Sequence, residues 1–235
     1  MKPQLGAVSR STVLTSCILN SSLPWVMACC CQALPRPKDS TAFQSVATLS
    51  AGVLPAVDAV IARGIGDTDR VALVGNSGGG FAVMGILTQT PRFRTAVASA
   101  GYSNATSLYG TFYGQYRYGD GGPPEKGLIL RMLQMEKGFM GFQAPPWQEP
   151  DRYHRASPIL QAGNVRTPLM LVHGYSDFVP VQQAEEVFTA LSRQDLRRVF
   201  LRYLGEGHRI SNRENVIDLW TRLREWLTET MGDRR

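Results

Sequence analysis

The feature that most narrows what this chain can fold into is VALVGNSGGGFAVM, Val71 to Met84. Val71 to Val74 reads as a short strand buried on both faces, Phe81 to Leu87 reads as a helix, and one hydroxyl stands between them among glycines. A chain that passes from a buried strand into a helix so quickly must turn sharply, and a strained turn needs small neighbours. Gly75-Asn76-Ser77-Gly78-Gly79 is a G-x-S-x-G in that place. It would hold the serine out of the turn as a nucleophile and offer the first N–H groups of the next helix to an oxyanion. Taken alone the pentapeptide also fits an ordinary glycine-rich turn; the flanking strand and helix favour the nucleophile.

The rest of the chain alternates in the same way. Val46, Leu49, Val53, Val57, Val60 and Ile61 recur at steps of three and four, which predicts a helix over 41–63 with a kink at Pro55 and a stop at Gly64. Strands are expected at Thr95 to Ala100, Leu169 to Val172 and Arg198 to Tyr203. Helices are expected at Val181 to Leu191 and at 213–228, where Val216, Leu219, Leu223 and Trp226 share one face. Strands separated by helices predict an α/β fold with a mostly parallel sheet flanked by helices. Residues 101–167 break the pattern with a Tyr- and Gly-rich run, a Met-rich piece and APPWQEP. They read as a loop-rich, lid-like insertion after the strand that follows the nucleophile helix.

Composition removes several function classes. A length of 235 residues with 43% hydrophobic and 19% charged residues suits one globular core. The net charge of +6 is spread without a basic block, which argues against a nucleic-acid partner. Cys17, Cys29, Cys30 and Cys31 match neither a zinc spacing nor a disulfide framework, so neither a metal nor another cofactor is expected. No run of 18 apolar residues predicts a spanning helix. Residues 1–40 are expected to be an N-terminal segment, with a strand at Thr12 to Leu19 and its loop, and residues 41–235 are expected to form the α/β domain that carries Ser77. The alternative for residues 1–28 is a signal, since Val-Met-Ala-Cys resembles a lipoprotein cleavage site. A cytoplasmic place is slightly favoured, and a secreted or lipid-anchored one follows if that signal is real.

A serine hydroxyl is a weak nucleophile at neutral pH, so Ser77 requires a histidine base and an acid to orient it. His208, in YLGEGHRI, lies just past a predicted strand and before the last helix. Asp177 follows the strand Leu169 to Val172 and precedes Phe178-Val179-Pro180; an N-cap for the next helix is its alternative role. The order Ser, Asp, His is that of the α/β-hydrolases. His173, at the end of its own strand, reads as a loop-packing residue, and His154 as a surface or lid residue.

VALVGNSGGGFAVMGILTQTPRFRTAVASAG, LVHGYSDFVPVQQAEEVFTAL and YLGEGHRISNRENVIDLWTRLREWL together resemble the catalytic domain of the prolyl oligopeptidase family of serine peptidases, from about residue 50 to 230. The resemblance implies an α/β-hydrolase fold with Ser77 as nucleophile, Asp177 as acid, His208 as base and the Gly78 N–H in the oxyanion hole. It implies peptidase-like activity, for which a small peptide or ester is the expected substrate. Tyr102, in the segment to Tyr118, is a candidate substrate contact by aromatic stacking, with packing of a lid as its alternative role. Carboxylesterase activity, or a truncated domain without catalysis, are the alternatives. Gly78 stands where the family commonly has an aromatic residue, and the loop to Asp177 and Val179 is a residue shorter than in many members. The upstream strands are expected to be missing or replaced. No tyrosine precedes Tyr102 to act as second oxyanion donor, so either a backbone N–H after the strand ending near Leu19 takes that place or the second donor is missing.

Overall fold

In a computed structural model, which describes residues 45–111, 134–138 and 140–232, the apolar runs pair into one sheet. Strands β1 (Ala72–Asn76), β2 (Thr95–Ser99), β3 (Leu169–Gly174) and β4 (Arg198–Tyr203) lie in sequence order, and each neighbouring pair is parallel. Their C-terminal ends therefore fall along one rim. Ala96, Ala98, Leu169 and Leu171 face one apolar cluster, while Val97, Met170 and Val172 face a second on the other side. Burial on both faces is why β2 and β3 read as continuous apolar runs rather than as alternating strands.

The first cluster is covered by α1 (Leu49–Ala62), α2 (Gly78–Leu87) and, from between β2 and β3, α3 (Ala105–Tyr109) and α4 (Pro150–Arg155). The helix between β3 and β4, α5 (Gln182–Ser192), completes that layer. Every residue of α2 from Gly80 to Leu87 is buried, so this helix is apolar all round rather than on one stripe. It starts at Gly78, three residues before the expected Phe81, because hydrogen bonding rather than propensity sets its first turn: the Phe81 N–H donates to the Ser77 carbonyl at 3.1 Å. Helix α1, in contrast, starts later than expected, at Leu49, after a 3-10 turn over Val46–Thr48 that Ser45 caps. Pro55 lies inside it, and Gly64, just past its end, takes a φ of +69°.

The described parts of 101–167 are more helical than the sequence suggests and share the main core. Phe142 and Tyr153 are fully buried and stacked with ring centres 4.3 Å apart, and the Tyr153 hydroxyl donates to the Ala144 carbonyl at 2.9 Å. A 3-10 run, Pro158–Asn164, leads into β3. The expected N-terminal segment 1–40, with its strand and cysteines, and most of the Tyr- and Gly-rich run lie outside the described residues. Among those described, no strand pairs with the outer edge of β1, where Val74 is exposed. None of the described helices is long and apolar enough to cross a membrane.

The last helix, α6 (Arg213–Met231), covers the second cluster with Leu219, Leu223, Trp226, Leu227 and Met231. Its far end is tied back to the start of the sheet, since Arg94 Nε donates to the Thr230 carbonyl at 3.1 Å. Its near end is capped by Asn212, whose side-chain oxygen accepts the Glu214 N–H at 3.0 Å. Asn212→Ala is expected to destabilise the chain by about 1 kcal/mol. In a thermal melt that is a loss of about 2–4 °C for a chain of this size; an unchanged midpoint would show that the cap is not needed.

Candidate active site

Three of the four strand ends supply the site. Immediately after β1, Ser77 adopts φ 58° and ψ −121°, a left-handed conformation that costs a non-glycine residue of order 1–3 kcal/mol. It is held there because the Ser77 N–H donates to the Ser99 carbonyl at the end of β2, 2.8 Å away. A side chain at Gly75 would strike the Gly79 carbonyl, so the strand can enter the turn only as glycine. Gly78 is the first residue of α2, and its N–H is one of the helix donors that have no acceptor within the helix.

Beyond β3, the turn Tyr175-Ser176-Asp177 is pinned on both sides. The Tyr175 N–H donates to the Tyr203 carbonyl at 2.9 Å and the Ser176 N–H to the Glu206 carbonyl at 2.8 Å. The Asp177 side chain is 0% exposed. Its Oδ1 accepts the Val179 N–H at 2.9 Å, so it closes a local turn and does not cap α5, which starts at Gln182 without a side-chain cap. Burial pushes the Asp177 carboxyl up, but hydrogen bonds from His173, His208 and the Val179 N–H outweigh it and hold the group below its ordinary value.

His208 follows β4. Its Nδ1 lies 2.9 and 3.0 Å from the two Asp177 carboxylate oxygens, and its Nε2 lies 2.9 Å from Ser77 Oγ. A carboxylate only accepts, so Nδ1 carries the proton and the bare Nε2 accepts the Ser77 hydroxyl. The imidazole is 22% exposed, and the exposed Phe178 ring lies over it with centres 4.2 Å apart. One face of the imidazole is thereby covered.

His173 is closer to this chain of contacts than its expected packing role implies. It is 1% exposed, and its Nε2 lies 2.9 Å from the Val179 carbonyl and 3.4 Å from Asp177 Oδ2. Both neighbours are acceptors, so Nε2 donates, and Nδ1 is buried without a partner. Tyr102, expected to contact substrate, is 6% exposed and stacks on Phe81 at 4.4 Å, which places it in the core beneath the elbow. His154 lies exposed on α4. The expected second oxyanion donor, after Leu19, lies outside the described residues. No group of three or more His, Cys, Asp or Glu suited to a metal occurs among the described residues.

Three contributors escape reading by motif: Phe178 over the imidazole, His173 behind the acid, and Glu206 beneath the His208 loop. For Glu206 the available signal was its place in GEGH, since an acid between glycines just before a candidate base is an unusual choice for a free loop.

Comparison with known proteins shows the family and the fold of the chain. A family model described as the prolyl oligopeptidase family matches residues 50–133 and 127–234. The uncharacterized peptidase YuxL of Bacillus subtilis (strain 168) is 30% identical over 161 residues, covering 68% of this chain and 22% of that protein. Dipeptidyl peptidase family member 6 of Caenorhabditis elegans is 27% identical over 191 residues, covering 77% of this chain and 23% of that protein. Among solved structures, a puromycin-hydrolyzing peptidase of Mycobacterium tuberculosis superposes with a TM-score of 0.66 at 24% identity, over 82% of this chain and 26% of that one. This last likeness is one of fold, and the parallel sheet with helices on both faces is the α/β-hydrolase arrangement expected from the sequence. The chain spans 22% to 26% of the length of these three proteins.

Proposed function

The chain belongs to the prolyl oligopeptidase family, and on that footing we propose that it is a serine peptidase acting on a small peptide through an acyl-enzyme. Ser77 is the nucleophile, His208 the general base and Asp177 the acid that orients it. The single observation that carries this assignment is the unbroken run of hydrogen bonds from the Asp177 carboxylate through His208 to Ser77 Oγ, made by three separate strand ends.

Ser77 Oγ attacks the scissile carbonyl carbon while its proton passes to His208 Nε2. The carbonyl oxygen becomes an oxyanion at the start of α2, where the Gly78 N–H donates to it and the helix dipole favours negative charge. Collapse breaks the C–N bond, and the proton on Nε2 goes to the departing amine. Water then attacks the Ser77 ester, giving one proton to His208, which returns it to Ser77 as the acid product leaves. Throughout, Asp177 keeps the proton of Nδ1 in place and offsets the positive charge of the imidazolium.

An activated serine reacts with a fluorophosphonate where an ordinary one does not. Incubation of the purified full chain with such a probe, followed by peptide mapping, is expected to find one adduct, on Ser77. A folded chain that takes up no probe, or takes it up at another serine, overturns the assignment.

A further inference from the structure

Glu206 is a buried acid with no part in the chemistry just described, and its surroundings give it a different task. The residue is 3% exposed, yet both carboxylate oxygens are satisfied. Oε2 accepts from the Ser211 N–H at 2.8 Å and the Ser211 hydroxyl at 3.2 Å. Oε1 accepts from the Asn212 N–H at 2.9 Å and from Asn215 Nδ2 at 2.8 Å. The same residue's carbonyl accepts the Ser176 N–H, one residue before Asp177.

These bonds describe a closed loop. The chain leaves Glu206, passes through His208, and is caught again at Ser211 and Asn212 by the side chain it left. Asn212 caps α6 and Asn215 stands in its first turn, so the loop is also fastened to the positive end of that helix. The Asn215 side chain and the Ser211 N–H are the main groups holding the Glu206 carboxyl below its ordinary value against the effect of burial, with Asn212 and the Ser211 hydroxyl adding to them. On the other side, a side chain at Gly174 would strike the Gly207 carbonyl, so the end of β3 lies directly against the loop. Spacing within G-E-G-H-R-I-S-N-R-E-N follows from this: serine and the two asparagines stand where one carboxylate can reach all of them.

We infer that Glu206 is the positioning residue of the base. Its carboxylate closes the loop around His208, and its carbonyl fixes the turn that carries Asp177, so one residue sets the separation of acid and base. This rests on the triad proposed above. Removing the clamp leaves His208 held by Asp177, Ser77 and Phe178 alone, contacts that must themselves be well aligned for proton transfer. A displacement of about 1 Å at such a centre costs up to about 100-fold in rate.

Glu206→Gln tests the inference, because an amide keeps the shape but turns an NH2 toward N–H donors. The expected result is a rate of fluorophosphonate labelling at Ser77 reduced by about 10- to 100-fold, together with an upfield move or loss of the downfield proton resonance of His208 Nδ1–H. Trp226→Phe, at the far end of α6, serves as a destabilised comparator that keeps both the labelling rate and the resonance. Labelling at the wild-type rate in a folded Glu206→Gln chain overturns the inference. Should that variant not fold, Asn215→Ala removes one of the four donors and is expected to slow labelling several-fold; a wild-type rate there is equally fatal. If the wild-type chain itself does not label, the proposed function falls, and the His208 resonance still shows whether Glu206 sets the ring's position.

Discussion

Asp177→Asn is expected to lower kcat/KM for a peptide or ester substrate by about 10,000-fold while the chain remains folded. Asp177 Oδ1 meets the Val179 N–H and His208 Nδ1, and Oδ2 meets His208 Nδ1 and His173 Nε2. An asparagine can satisfy the Val179 N–H with its one oxygen, but its NH2 then faces two ring nitrogens that both carry protons. The cheapest relief is for His208 to move its proton from Nδ1 to Nε2 and accept the amide. The ring then presents an N–H to Ser77 and has no lone pair with which to take the hydroxyl's proton. Loss of rate in a chain that still melts cooperatively is the signature of that wrong tautomer; activity within tenfold of wild type would remove Asp177 from the proposed triad.

The same substitution changes how stability responds to acid. A carboxyl whose folded pKa lies below its unfolded value binds its proton more readily when unfolded, so it contributes stability above the unfolded pKa. That contribution fades as the pH falls through about 4, the ordinary aspartate value, toward the lower folded value. Urea unfolding of the wild type should therefore weaken on going from pH 6 to pH 3, and Asp177→Asn should lack this share of the decline. An identical acid limb in both would mean that the hydrogen bonds to Asp177 do not depress its pKa.

How much of this was legible in the sequence follows from where the information resides. Ser77, Asp177 and His208 each follow a strand, and in a parallel sheet of this kind strand ends share one rim, so periodicity, the G-x-S-x-G motif and the order Ser, Asp, His together point to their convergence. Boundaries were less legible: the first turn of α2 is made of glycines, whose propensity argues against a helix, and the bond from the Phe81 N–H to the Ser77 carbonyl that closes it does not show in propensity. His173 reads as packing and Glu206 escapes the sequence because their meaning lies in bonds to residues that periodicity does not link to them. His173 meets the carbonyl of Val179 across a turn, and Glu206 gathers Ser211, Asn212 and Asn215 around the loop. Tyr102 misled in the opposite sense: an aromatic after a strand end suits a binding pocket, but Phe81 on α2 offers it a flat partner and buries it.

The glycines of the elbow provide the other large expected effect, and they divide in a way the motif does not suggest. The G-x-S-x-G pattern points to Gly75 and Gly79 as the positions that must stay small. Gly79 has open space where a Cβ would stand, whereas at Gly80 a Cβ would lie 2.5 Å from the Ser99 carbonyl oxygen and 3.0 Å from the Gly101 Cα. All of the obstructing atoms are backbone, so no rotamer change relieves them. Gly80→Val must therefore push α2 off the end of β2, breaking the seat of the Ser77 N–H on the Ser99 carbonyl and parting Phe81 from Tyr102. A loss of about 3 kcal/mol or more is expected, a large part of the 5–15 kcal/mol that holds a typical domain together. Gly79→Ala, one residue away, replaces a poor helix former by the best one without a clash and should be neutral or stabilising by up to about 1 kcal/mol. Urea midpoints decide the matter: opposite shifts at the two positions support the backbone contact as the constraint on the elbow. Equal losses would return that role to Gly79 and to the pentapeptide as written.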